Sequence, residues 1–220
     1  MPMVERVRRS CVEAEVDRVI VATDDLRIAR LVRAAGGEAV MTAAASSGTE
    51  RVWLALQALD EPPALVVNVQ GDLPLLPPMA VSTVVALLRS GSRLATLATP
   101  WPSEVPIGDP AVVKVAVNAR GQATRFTRQA IRAWRHVGIY GFQYEALRLA
   151  IAADPAAARV ENLEQVAWME AGLSIDVAVI SDAGPSVDTP EQLGIVRQQV
   201  LDPMYPEPAP RVTSGPEVVE

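Results

Sequence analysis

Apolar positions in this chain come in short runs that alternate between the spacings of helix and strand. Met3, Val4, Val7, Cys11 and Val12 recur at helical steps with Glu and Arg between them, predicting a helix over 1–16. Arg18-Val-Ile-Val-Ala-Thr23 is β-branched and reads as a buried strand. Asp24-Asp25 then caps a helix that starts at Leu26, and Gly36-Gly37 ends it before a second strand over 38–42. The alternation continues with helices over 46–59 and 77–89 and strands over 64–70 and 94–98. Short apolar strands alternating with helices predict an α/β fold, a doubly wound and mainly parallel sheet covered on both faces.

The rhythm changes in the middle of the chain. Residues 112–117 and 122–127 read as a hairpin joined by Asn118-Ala-Arg-Gly121, with glycine at the left-handed position. A further strand follows over 136–142, helices over 147–153 and 160–171, a strand over 175–180 and a capped helix over 190–201. The pattern therefore predicts one domain over 1–201 with a small β-rich extension. Residues 202–220 are proline-rich and polar, the composition of a disordered tail.

Composition narrows the function classes. The net charge of −6 argues against a nucleic-acid partner. Cys11 is the only cysteine, so neither an internal disulfide nor a cysteine metal cluster can form. No run approaches the ~18 apolar residues of a membrane span, and residues 1–10 have no signal-peptide core. The expectation is a cytoplasmic protein with no membrane partner.

In open parallel sheets, ligands sit at the carboxyl ends of the strands. The strand ending in Val67-Asn-Val69 runs into Gln70-Gly71-Asp72, which puts Asp72 at such an end. It is a candidate carboxylate for a divalent metal, or else the cap of a turn. Ser46-Ser-Gly-Thr-Glu-Arg51 opens a helix, and its free amides and hydroxyls suit a phosphate as well as they suit a plain capping box. His136, the single histidine, shares a strand face with Gly138 and Tyr140 by period-two alternation. That face is one wall of a sugar pocket or a structural feature. Glu161, Glu164 and Gln165 share a helix, and Asp188-Thr-Pro190 is a helix start.

Taken together and in order, these segments resemble the 3-deoxy-manno-octulosonate (Kdo) cytidylyltransferase family. The resemblance is carried by Arg18-Val-Ile-Val-Ala-Thr-Asp24, Ala34-Ala-Gly-Gly37, Ser47-Gly-Thr-Glu-Arg51 and Val67-Asn-Val-Gln-Gly-Asp72. It continues through Arg135-His-Val-Gly-Ile-Tyr-Gly141, Leu163-Glu-Gln165 and Val187-Asp-Thr-Pro190, spanning roughly residues 3–200. It implies a nucleotidyltransferase fold of the GT-A-like type, and transfer of CMP from CTP to a Kdo-type sugar acid with Mg2+, in lipopolysaccharide biosynthesis. By the same resemblance Asp72 and Asp188 are the catalytic, metal-binding carboxylates. Gln70, Arg128, His136, Tyr140, Glu164 and Gln165 match substrate-binding positions, and Ser47, Gly48, Thr49 and Arg51 match part of the nucleotide site.

Four features depart from the family pattern. Pro2-Met3 aligns just after the lysine of an Arg- and Lys-bearing loop that grips CTP in family members, so the chain as written is expected to lack that loop and the strand before it, and to transfer little CMP. Leu73 stands where an acidic residue is usual, and Ala167 where an arginine is. The stretch between Arg128 and His136 is short, which leaves a homodimer possible and the oligomeric state open. The alternatives are a non-catalytic sugar- or nucleotide-binding remnant, and a cytidylyltransferase for a related acid such as 8-amino-Kdo or a sialic-acid-like sugar.

Overall fold

The computed structural model describes residues 1–102, 105–156, 158 and 161–201, so the tail expected over 202–220 lies outside the described residues. Elements follow in the order α1 (Met3–Glu13), β1 (Ile20–Thr23), α2 (Leu26–Ala34), β2 (Glu38–Met41), α3 (Gly48–Leu56), β3 (Leu65–Val69), α4 (Pro78–Arg89) and β4 (Leu94–Thr99). They continue with β5 (Lys114–Val117), β6 (Ala123–Thr127), β7 (Trp134–Gln143), α5 (Tyr144–Ala152), α6 (Glu164–Glu170), β8 (Asp176–Val179) and α7 (Pro190–Leu201). The α/β alternation and the β5–β6 hairpin are as the hydrophobic pattern predicts. The helix expected over 160–171 starts later, at Glu164.

Strand β7 organises the sheet. It lies antiparallel to β4 on one side, while its other side meets β3 along the carboxyl half and β5 at Trp134–Arg135. The parallel pairs are β1 with β2 and β4 with β8. Because β3 and β4 both oppose β7, they run the same way, and the sheet is mixed through one inserted strand. The far ends of the sheet also meet. The Ala123 amide donates to the Ile175 carbonyl and the Val177 amide to the Gly121 carbonyl, at 2.8 Å each, so the hairpin turn covers the outer edge of β8.

Both faces of the β4–β7 layer are buried, which explains why β4 has no exposed position and is apolar apart from the buried Thr96 and Thr99. One face packs Val7 and Cys11 of α1 and Val81, Val84 and Leu88 of α4 against Leu97, Val137 and Ile139. The other packs Leu147 of α5 and Trp168 of α6 against Leu94, Val115, Phe126 and Phe142. Gly141 is needed where α4 crosses, since a Cβ there would lie 2.3 Å from a Val84 methyl. Among the described residues β1 and β2 form a separate sheet, and no described strand pairs with the edge of β3 that faces away from β7.

Candidate active site

At the carboxyl end of β3 the chain turns through Gln70-Gly71-Asp72, as expected of a strand opening into a cleft. Gln70 lies between two glycines. A Cβ at Gly48 would meet its amide at 2.8 Å, and one at Gly138 its Cγ at 3.5 Å. These approaches bring the first turn of α3 and the inner face of β7 onto the end of β3.

The start of α3 serves two purposes. Ser47 caps the helix by accepting from the Glu50 amide at 3.1 Å, and Glu50 reaches back past the cap to accept from the Ser46 amide at 2.6 Å, a variant of the capping box. The Ser47 hydroxyl also donates to the Glu164 carboxylate at 2.6 Å, and Thr49 donates to the same group at 3.1 Å. Residues 47–49 and 164 are therefore brought together across more than a hundred positions of sequence. Burial pushes the Glu164 carboxyl above its usual range, against the pull of the two hydroxyls.

On β7, His136 and Tyr140 share a face, with ring centroids 5.4 Å apart, and Phe126 meets the imidazole edge-on at 5.2 Å. Burial holds the His136 pKa down to about 3, with the Arg135 charge adding to the effect. The ring is neutral at physiological pH and has one N–H. Thr96 Oγ1 lies 3.0 Å from His136 Nε2 and donates its own hydrogen to the Ile139 carbonyl at 2.7 Å. This network assigns the N–H to Nε2 and leaves Nδ1 as an acceptor. Tyr140 accepts from Gln165 Nε2, and Trp168 packs edge-on against it at 5.1 Å. Gln165 Oε1 is buried with no hydrogen-bond partner. The pocket thus offers several acceptors, the complement of a ligand rich in hydroxyl groups.

Asp72 and Asp188 come from distant parts of the chain to the same place. The Val187 amide donates to the Asp72 carbonyl at 2.9 Å, and the Asp188 amide is tied to Gln192 Oε1 at 2.6 Å. Asp72 Oδ1 is buried and has no hydrogen-bond partner. Burial raises the Asp72 pKa, its own amide opposes that shift, and the nearby Asp188 charge raises it further. Two carboxylates close together, one with an orphaned oxygen, are the residues here that could hold a cation. No group of three or more His, Cys, Asp or Glu suited to a metal occurs among the described residues.

Two residues singled out by resemblance have other partners. Arg51 donates to Thr42 Oγ1 and Asp24 Oδ2, both at 2.9 Å, and so ties the ends of β1 and β2 to α3. Arg128 donates to the carbonyls of Glu161, Pro110 and Ala111 at 3.2, 2.8 and 3.1 Å, and its charge still acts on the Tyr140 hydroxyl. Leu73 is 5 % exposed in the apolar layer beneath α1, and Ala167 is buried beside Trp168. Sequence reasoning missed Thr96, since a threonine inside an apolar run carries no signal of the histidine it will orient.

A family model described as Cytidylyltransferase matches residues 1–175. The chain is 43% identical over 202 residues to a 3-deoxy-manno-octulosonate cytidylyltransferase of Anaeromyxobacter dehalogenans (strain 2CP-C), covering 87% of this chain and 82% of that one. It is 41% identical over 207 residues to the protein of the same name from Parvibaculum lavamentivorans, covering 87% and 80%. A solved structure of CMP:2-keto-3-deoxy-manno-octonic acid synthetase complexed with CTP superposes with a TM-score of 0.84 at 32% identity, over 91% of this chain and 88% of that one. A 4-diphosphocytidyl-2C-methyl-D-erythritol synthase from Anaerococcus prevotii shares the fold at 13% identity and a TM-score of 0.65, over 92% and 87%. The chain belongs to the cytidylyltransferase family, alongside the 3-deoxy-manno-octulosonate cytidylyltransferases.

Proposed function

We propose that this protein transfers CMP from CTP to the anomeric hydroxyl of Kdo, releasing pyrophosphate. The observation that carries the proposal is the meeting of Asp72 and Asp188 at the end of β3, two residues from a Gln70 side chain that packs against the His136–Tyr140 face. In the reaction the sugar oxygen forms a bond to the α-phosphorus. The bond from that phosphorus to the bridging oxygen of the β-phosphate breaks, and the hydroxyl proton passes to solvent.

The residues divide by chemistry. The orphaned Asp72 Oδ1 and the neighbouring Asp188 carboxylate would hold a hard divalent cation, here Mg2+. Bound there, Mg2+ would offset the negative charge that builds on the phosphoryl oxygens. Ser47, Gly48, Thr49 and Arg51 stand at the nucleotide side. His136 Nδ1, Gln165 Oε1 and Glu164 accept from sugar hydroxyls, with Gln70 and Tyr140 completing the wall. Arg128 supplies positive potential toward the sugar carboxylate. His136 orients the sugar, its ring held neutral by burial.

This activity places the protein in the cytoplasm, at the step that activates Kdo for lipopolysaccharide assembly, and a homodimer is the expected assembly. No helix among the described residues is long and apolar enough to cross a membrane. The test is Mg2+-dependent pyrophosphate release from CTP with Kdo, 8-amino-Kdo or a sialic acid. Release above the sugar-free blank that is fastest with Kdo is the expected result. Release that is equal with all three, or that ignores the sugar, would overturn the assignment.

A further inference from the structure

Asp188 owes its place to a loop. Residues 180–189 run between β8 and α7 without helix or strand, and Asp188 is exposed, so packing of its own side chain does not fix it. Several attachments seat the loop instead. Ala183 is buried in the apolar layer with Leu73, Leu76 and Val137. The chain then turns at Gly184 with φ +70, where a Cβ would lie 2.9 Å from that of Leu75 and 3.0 Å from the Leu75 carbonyl oxygen. That close approach joins the loop to the turn that carries Asp72. The Asp182 carboxylate accepts from the Ala183 and Gly184 amides at 2.8 and 3.0 Å and sets the bend from within. Beyond the bend, the Val187 amide reaches the Asp72 carbonyl at 2.9 Å. Asp72 feels the charge of Asp188 as a result.

One further attachment comes from the strand that organises the sheet. Arg135 Nη2 donates to the Gly184 carbonyl at 3.2 Å. Arg135 stands at the start of β7, paired with Thr99 of β4 on one side and Lys114 of β5 on the other. Alternation turns it away from the His136 face and toward the layer that holds Ala183. The root of its side chain is therefore fixed by two neighbouring strands, while its tip grips the loop at the bend. A guanidinium on a carbonyl makes a charge-assisted bond, stronger than a neutral pair. We propose that Arg135 is a positioning residue, whose bond to Gly184 seats the loop against the Asp72 turn and so delivers Asp188 to Asp72. The inference rests on reading those two carboxylates as the cation pair. Consecutive residues of β7 then serve both halves of the site, with His136 facing the sugar wall and Arg135 bracing the second carboxylate from the opposite face.

The test compares the parent with Arg135→Met, which keeps an aliphatic stem and loses the donors, and with Arg135→Lys, which keeps a charged donor. Amide hydrogen exchange at Val187, read by NMR without metal or substrates, reports whether the loop is seated. Arg135→Met should exchange there about tenfold faster or more, with Leu97 in β4 unchanged, and Arg135→Lys should restore much of the protection. The same proteins are then titrated with Mn2+ alone, followed by its electron paramagnetic resonance signal. Mn2+ affinity should fall about tenfold or more in Arg135→Met, the usual scale for removing a residue that orients a metal ligand. Unchanged exchange at Val187 in Arg135→Met overturns the proposal. So does an equal loss of protection at Leu97, which marks a general structural role, and so does a released loop with unchanged Mn2+ affinity. A parent that binds no Mn2+ contradicts the cation reading instead, and the exchange comparison still decides whether Arg135 seats the loop.

Discussion

Asp72 is a carboxylate held where its charge is costly, half-buried, with one oxygen unpartnered and a second carboxylate beside it. Such an arrangement is unfavourable without a cation, and it is legible in the sequence only as an Asp after a strand. Asp188 was less legible still, because its local pattern is that of a helix cap, a role its segment also fills through Gln192. Local pattern alone does not bring together residues over a hundred positions apart, and the expectation that Asp72 and Asp188 meet rested on the family resemblance. His136 offers a test at this scale. With its folded pKa lowered to about 3 from 6.5, the unfolded chain takes up a proton between those values that the folded protein refuses. Stability from this group is therefore present above pH 6.5 and falls with decreasing pH, by about 1.4 kcal/mol per unit within the window. The raised carboxyls of Asp72 and Glu164 act with the opposite sign in mild acid. The His136→Asn variant isolates the histidine: urea unfolding at pH 7 and pH 5 should show a smaller acid loss in the variant than in the parent. Equal losses would contradict the buried, neutral ring.

At the scale of elements, β7 does most to assemble the site, and its geometry depends on a bulge. Its register against β4 shifts between Thr96 and Leu97, and the Thr96 hydroxyl fills the irregularity with bonds to Ile139 and His136. Thr96→Val keeps the shape and orphans those partners, so it should cost about 1–3 kcal/mol in chemical denaturation. It should also weaken sugar binding more than nucleotide binding, as a freely turning His136 would. Lys114 plays a comparable part in the extension. It is fully buried at the start of β5, and its ammonium donates to the carbonyls of Asp109, Val112 and Arg128 beneath the Trp101 ring. Lys114→Met leaves those carbonyls unsatisfied and should destabilise the protein by about 3 kcal/mol or more, read from the urea midpoint. A cost under about 1 kcal/mol would show that water replaces the ammonium readily. The strands and helices around these residues were legible from period and caps. The antiparallel insertion of β7 was not, because a doubly buried strand reads the same in either direction.

The molecule as a whole places its chemistry at one end of a layered sheet, with Asp72, Gln70, the start of α3 and the His136–Tyr140 face converging there. Hydrophobic alternation made the α/β class readable, and the ordered motifs made the family readable, since both are written locally. The closure of the hairpin onto β8 was not, because it depends on which edges find partners in space. The measurement that bears most directly on the account is Mg2+-dependent pyrophosphate release from CTP and Kdo by the parent, Asp72→Asn and Asp188→Asn proteins, at enzyme concentrations high enough to read the slow parent rate expected of the chain as written. Both variants should remain folded and lose rate by about 100-fold or more, the scale of removing one preorganised electrostatic partner from a transition state. A folded Asp72→Asn protein that releases pyrophosphate as fast as the parent would contradict it.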